Sequence, residues 1–426
     1  MKNFIKSYAT PLILLLSILV GGIVGIIMGP DAKMFEPLGQ IFLNLIFTLI
    51  VPLVFFSVTS SIANMGKMKR LGKIMVNIAL VFAVTAIISA LITIISVYIV
   101  DPTEGLGQDT IQTILEDADG EISEEAKKLS LPEQLVKTVT VGDFSALFSK
   151  SNLLQLIVIS VICGLAIALA GEKAMAFKDF LNAGSAVMMK MIKIIMYYAP
   201  IGLACYFASI IGQLGTQILE GYLKVFIMYL IVSIVYYFAF FSIYAYVGAG
   251  KAGVKAFWKN AVAPAVTALA TCSSAASIPV NLDAAKKIGI PNDIAETVIP
   301  LGVNTHKDGS VVGGVFKIVF LFGLFGMDYK NIPMLLSILV VSLLVGAVMG
   351  AIPGGGMIGE MLILSIYGFP PAALPVIAVI STIIDAPATL LNASGNTVCA
   401  MVVARFVDGK NWLKTGARHN NESPDI

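Results

Sequence analysis

Two groups of polar residues stand inside otherwise apolar sequence, and both are equipped for chemistry. The first is the run Gly302-Val303-Asn304-Thr305-His306-Lys307-Asp308-Gly309-Ser310. The second is Asp385, Thr389, Asn392 and Asn396, spaced i, i+4, i+7 and i+11, which the 3.6-residue period places on one helical face. An ionisable side chain inside a membrane segment is costly unless it lines a cavity or meets a partner, so each one marks a functional site. The plain account of the aligned four is a hydrogen-bonding seam between helices, and the ionisable Asp385 is what argues against it. A carboxylate at Asp385 suits an ammonium group, while the Asn392 amide and the amides of a hairpin tip suit a carboxylate. Together they describe a receptor for an α-amino acid.

The elements that must hold these residues are membrane helices. The 426 residues are 58% hydrophobic and 13% charged, against about 45–50% apolar and about 25% charged in soluble domains. The chain is therefore an integral membrane protein. Its basic residues form no stripe and interleave with no aromatic platform, which argues against nucleic acid as a partner. Cys163, Cys205, Cys272 and Cys399 stand singly, without metal-type spacing, and read as packing residues, Cys272 apart. The first apolar run is long for a signal peptide and no small-residue cleavage site follows it, so it is expected to stay on the protein. Nothing in the sequence asks for a cofactor.

Apolar windows at 9–29, 38–65, 74–100, 152–170, 176–198, 200–213 and 221–249 follow one another. Most are long enough to cross a bilayer. Lys67, Lys69, Arg70 and Lys73 lie between the second and third, whereas the 101–150 loop carries seven carboxylates between Asp109 and Glu125 alone, Glu116 among them. Excess Lys and Arg mark the cytoplasmic side. The N-terminus and, with Lys410, Lys414 and Arg418, the C-terminus are thus expected in the cytoplasm, the acidic loop outside, and the protein in the plasma membrane. Lys190 and Lys193 lie near a segment end and are expected to reach the headgroups.

From about 254 the segments are broken. A half-length run at 261–270 stops at the hydroxyl-rich tip Thr271-Cys272-Ser273-Ser274-Ala275-Ala276-Ser277 and turns back, as a re-entrant hairpin does. The interrupted helix follows, its unwound stretch expected over 302–310. A second half-length pair, 335–349 and 357–367, is joined by a Gly/Pro tip containing Gly354, Gly355 and Gly356, and the helix of Asp385 comes last. Short, interrupted segments at corresponding places in two halves point to a substrate site at an inverted-repeat interface. The tip glycines allow close backbone approach and a hinge.

The serine tip, the interrupted helix, the Pro-Gly hairpin and the polar last helix together resemble the dicarboxylate/amino acid:cation symporters, the glutamate-transporter homologues, over essentially the whole chain. Ser273-Ser274 resembles the family's serine-rich tip. The stretch 306–310 resembles its Asn-Met-Asp-Gly-Thr motif, and 385–396 its last-helix motif. The resemblance implies an all-α membrane fold of eight transmembrane helices plus two re-entrant hairpins, in inverted repeats divided between scaffold and transport domains. It also implies a homotrimer and elevator motion. The expected division is helices 1–3 over 1–100, the external loop and start of helix 4 over 101–150, and helices 4–6 over 151–250. The transport core covers 251–412 and a cytoplasmic tail 413–426. Carried over, the amino-group role falls to Asp385 and the α-carboxylate role to Asn392 and Ser274. Supporting contacts fall to Ser273, Ser310, Thr389 and the 354–356 tip.

Departures from the family pattern shape the expected function. Ala388 and Cys272 stand where members for acidic substrates place an arginine, which favours a neutral amino acid. Among the ion-site positions Thr85, Gly302, His306, Lys307, Asp308, Asn392 and Asn396, the family's asparagine is His306, its methionine Lys307 and its second last-helix aspartate Asn396. Its third-helix tyrosine and serine are Phe82 and Ala86. Sodium wants oxygen ligands and negative charge, so these changes predict lost sodium coupling, with proton-coupled or uncoupled transport instead. Lys307 is expected to act as a tethered cation paired with Asp308. The alternative pairs Lys307 with the acid group of an aspartate, glutamate or dicarboxylate substrate; an anion channel, and a hydrolase using Ser274 with Lys307, are remoter ones.

Overall fold

The computed structural model describes residues 2–63, 69–103, 140–149, 152–214, 217–349, 355–370 and 373–413. No strand occurs among them. Six helices come first: α1 (Lys2–Met28), α2 (Glu36–Ala63), α3 (Lys69–Ile99), α4 (Leu153–Ala170), α5 (Met175–Ile195) and α6 (Ala199–Leu214). Then α7 (Gln217–Val235) passes through a π-helical turn, Tyr236–Phe240, into α8 (Phe241–Asn260), which kinks at Ala249 and Gly250. The half-length α9 (Val262–Thr271) and α10 (Ile278–Ile288) pack on each other, as do α13 (Ile332–Val348) and α14 (Gly355–Tyr367). Between those pairs run α11 (Asn292–Thr305) and α12 (Asp308–Leu324), and the 35-residue α15 (Leu374–Asp408) closes the fold.

Five stretches of the described residues are long and apolar enough to cross a membrane. Their outer faces carry exposed Leu, Ile and Val, such as Leu19 on α1, Val76 on α3, Leu169 on α4 and Ile231 on α7. In lipid that apolar exposure is favourable, so helix association relies on close packing of small residues. Gly21 and Gly25 supply it at the α1–α6 crossing. A Cβ at Gly21 would stand 2.3 Å from the Ala204 carbonyl oxygen, and one at Gly25 2.5 Å from that of Ala208. By contrast α12 is enclosed, with every residue from Asp308 to Phe322 buried. α15 contributes to both large apolar cores, one built around α12, the other around α3, α8 and α11.

The interruption is shorter than the expected 302–310. Gly302 to Thr305 complete α11 and Asp308 to Ser310 begin α12, leaving only His306 and Lys307 outside the helices. Lys190 and Lys193 are exposed on α5.

Candidate functional site

His306 ends α11 with its amide still bonded to the Gly302 carbonyl, at 2.8 Å. It then adopts φ −113°, ψ 105°, and Lys307 follows at φ −136°, ψ 58°. Neighbouring side chains on extended backbone point to opposite sides, and that divides the chemistry in two.

On one side the imidazole is fully buried against Asp308, Nε2 to Oδ1 3.2 Å. Nε2 also lies 2.8 Å from the Thr85 hydroxyl, and Nδ1 3.1 Å from Asn396 Oδ1. Nε2 thus faces the Asp308 carboxylate and Nδ1 the side-chain amide of Asn396, a setting with room for a donor at each ring nitrogen. The other Asp308 oxygen accepts from the Tyr236 hydroxyl at 2.7 Å. Phe82 covers the ring at 4.5 Å between centroids, and Cys399 Sγ lies 3.6 Å from Nε2. Gly302 is required here, because a Cβ would stand 2.2 Å from Asn396 Oδ1. Tyr236 opens the π-helical turn, a type of defect that often marks functional positions.

On the other side Lys307 Nζ donates to Ser274 Oγ at 3.4 Å, in the turn between α9 and α10. The expected pairing of Lys307 with Asp308 is therefore corrected: Asp308 pairs with His306, because the extended break turns the two basic side chains apart. The positive charges of Lys307 and Lys317 both reach Asp385. Asp385 is exposed, while Thr389 beside it is buried and donates to its Oδ1 at 3.4 Å. Cys272 holds the turn in a left-handed conformation, φ 46°, and is the one non-glycine residue with positive φ among those described.

Of the four aligned residues of α15, Asp385 and Thr389 meet each other, whereas Asn392 and Asn396 turn to the start of α12 and to His306. Asn392 Oδ1 accepts the amides of Gly309 and Ser310 at 2.9 and 3.3 Å, and its Nδ2 donates to Ser310 Oγ at 3.2 Å. The first amides of a buried helix need acceptors, and Lys307 offers no side-chain cap, so Asn392 caps α12 from outside. Asp308 adds a carboxylate at that same positive end. Ser273 stays within its turn, its hydroxyl accepting the Ala276 amide at 3.2 Å. Of the glycine tip, Gly355 and Gly356 begin α14, and Gly354 lies outside the described residues.

Two charged residues outside the expected set lie nearby. Lys317 on α12 and Glu360 on α14 pair at 3.1 Å, both fully buried, and Ser381 of α15 donates to the same carboxylate oxygen. Their signal in the sequence is a lone charge in each of two apolar runs, the pattern that marks function in membrane segments.

The sodium:dicarboxylate symporter family model matches residues 11–406. The chain belongs to this family. Its members are transporters rather than enzymes, and this chain is accordingly a multi-pass membrane protein and a secondary transporter of that kind. It is 27% identical to the proton/sodium-glutamate symport protein of Bacillus caldotenax over 400 residues, 91% of this chain and 93% of that one. It is 22% identical to the proton/glutamate-aspartate symporter of Bacillus subtilis, covering 95% and 97% of the two chains. To the C4-dicarboxylate transport protein of the same organism it is 25% identical, covering 91% of each.

Proposed function

We propose that the protein carries a small neutral amino acid across the plasma membrane without sodium. The observation that carries this reading is the position of Lys307 on Ser274, with Asp385 open beside it and Asp308 already satisfied by His306. An ammonium and a carboxylate at one site sum to zero charge and complement a zwitterion: substrate carboxylate on Lys307, substrate ammonium on Asp385. Ser274, Ser273, Ser310 and Thr389 shape the surroundings. The carboxylate role thus moves from Asn392, whose amide holds α12, to Lys307.

His306 is the tethered cation. It fills the space among Thr85, Asp308 and Asn396 with an imidazolium, which supports uptake that does not require sodium. The paired short helices α9–α10 and α13–α14 support re-entrant hairpins within an eight-helix plan, and we place both termini in the cytoplasm. A homotrimer moving its substrate by an elevator mechanism is the accompanying proposal.

Uptake by proteoliposomes tests this, with sodium and pH gradients imposed separately and serine, alanine, aspartate, glutamate and succinate as competitors. Serine or alanine should compete best and sodium should be dispensable. Strict sodium dependence, or preference for succinate, would overturn the reading. Lys307→Met should cut uptake at least tenfold by removing the only cation assigned to the substrate carboxylate, on the scale of the ~1.5–3 kcal/mol of a charged hydrogen bond.

A further inference from the structure

The pair Lys317–Glu360 lies beside this site and takes no part in binding a zwitterion. It is built like a switch. Glu360 Oε1 receives Lys317 and Ser381, whereas Oε2 is buried with no partner among the described residues. A buried carboxylate oxygen with no donor is an exception among buried polar groups and asks for a function. Glu360 lies one turn beyond Gly356, where a Cβ would approach both Ser381 Oγ and Glu360 Oε1 within 4 Å. Ser381 lies one turn before Asp385. The pair therefore joins the base of the α13–α14 tip to the face of α15 that carries the substrate carboxylate.

The other elements packed on α14 bring little competing charge. α13 carries no titratable residue, α4 carries only Cys163, and α14 itself only Tyr367; α12 contributes Lys317, with Asp308 at its start held by His306, and α15 contributes Asp385, with Cys399, Arg405 and Asp408 several turns further along. With Glu360 ionised, Lys317 is neutralised, and Lys307 with Asp385 leaves the pocket at zero. With a proton on Glu360, the charge of Lys317, which shares Glu360 Oε1 with Ser381 one turn from Asp385, is no longer neutralised, and the site becomes +1.

We propose that Glu360 is a proton site that sets substrate class: ionised, it selects zwitterionic amino acids, and protonated, it admits acidic amino acids carrying one net negative charge. The proton enters from water with the acidic substrate and leaves with it, so charge balances. The inference rests on the transport reading above and extends its substrate range.

The test measures inhibition of labelled serine exchange by aspartate between pH 5.5 and 8, a window in which aspartate stays ionised. Wild-type aspartate affinity should rise at least tenfold as pH falls, with serine affinity unchanged. Glu360→Gln, which leaves Lys317 unpaired, should bind aspartate tightly at every pH. Lys317→Met should abolish the acid-side gain while retaining serine exchange. A pair that only holds helices together would lose function in both single variants and give no gain for aspartate. Should the single variants fail to fold, Lys317→Met with Glu360→Met replaces the pair by apolar volume, and persistence of the pH response there overturns the proposal. A wild-type aspartate affinity indifferent to pH overturns it alone; absence of saturable exchange with every amino acid overturns it together with the transport reading.

Discussion

His306 is held from three elements at once, by Thr85 of α3, Asp308 of α12 and Asn396 of α15. Removing one partner of a buried ion pair leaves the other charge uncompensated, at a cost of ~3–5 kcal/mol. His306→Asn should accordingly destabilise the purified protein in sodium-free buffer. The vacated space, flanked by the oxygens of Thr85, Asp308 and Asn396, is then open to a hard cation, which stabilises whatever state it binds. Melting of this variant should shift upward with sodium and not with choline, whereas the wild type should respond to neither. A variant insensitive to sodium would sink the idea that the imidazolium stands in for that ion.

At the scale of elements, crossing geometry constrains the site as firmly as its side chains do. A Cβ at Gly309 would stand 2.4 Å from the Ala388 carbonyl oxygen and 2.8 Å from its Cα, both backbone atoms that cannot rotate away. Gly309→Ala should therefore push α12 from α15, costing ~1–3 kcal/mol or more and lowering the melting temperature. Gly142, with nothing within 4 Å of its would-be Cβ, supplies the control: Gly142→Ala should melt like the wild type. The elements themselves were readable from the sequence. Apolar length located α1 to α8, and the half-length runs located the paired helices, because both signals follow from the backbone's need to satisfy itself in lipid. Less could be read at the break. A nine-residue run rich in polar side chains suggested a long unwound stretch, yet seven of its residues continue a helix, since Asn392 and Tyr229 satisfy backbone groups that solvent would otherwise have to reach. Partner choice is not written in spacing: whether His306 or Lys307 meets Asp308 depends on two dihedral pairs, and Tyr236 arrives from a distant helix.

For the whole molecule, acid sensitivity has a local origin at the end of α3. Burial works against the charge of Asp101, but the hydroxyl and amide of Thr103, at 2.6 and 3.0 Å, and the Lys330 ammonium, at 3.1 Å, outweigh it. They hold the carboxyl below its usual range. A carboxyl lowered in the folded state contributes stability that is fully present above its unfolded value, about 3.9, and is lost as pH falls through the folded one. The link ties α3 to the α12–α13 connection. Asp101→Asn should lower melting temperature at neutral pH and flatten its decline below about pH 4; an unchanged acid limb would exclude Asp101 as its source.

The proposed reading of His306 as a tethered cation has one more consequence, which concerns voltage. A diffusible cation crosses loaded in one direction and lets the carrier return without it, and the membrane potential does work on that difference, about 2.3 kcal/mol per charge per 100 mV. A cation that is part of the chain makes both journeys. Whatever the field contributes on the way in it takes back on the way out, so His306 contributes nothing to accumulation. With a zwitterion, or with an acid and its proton, each full cycle then transfers no net charge, and the resting potential of the cell is neither a source of drive nor an obstacle.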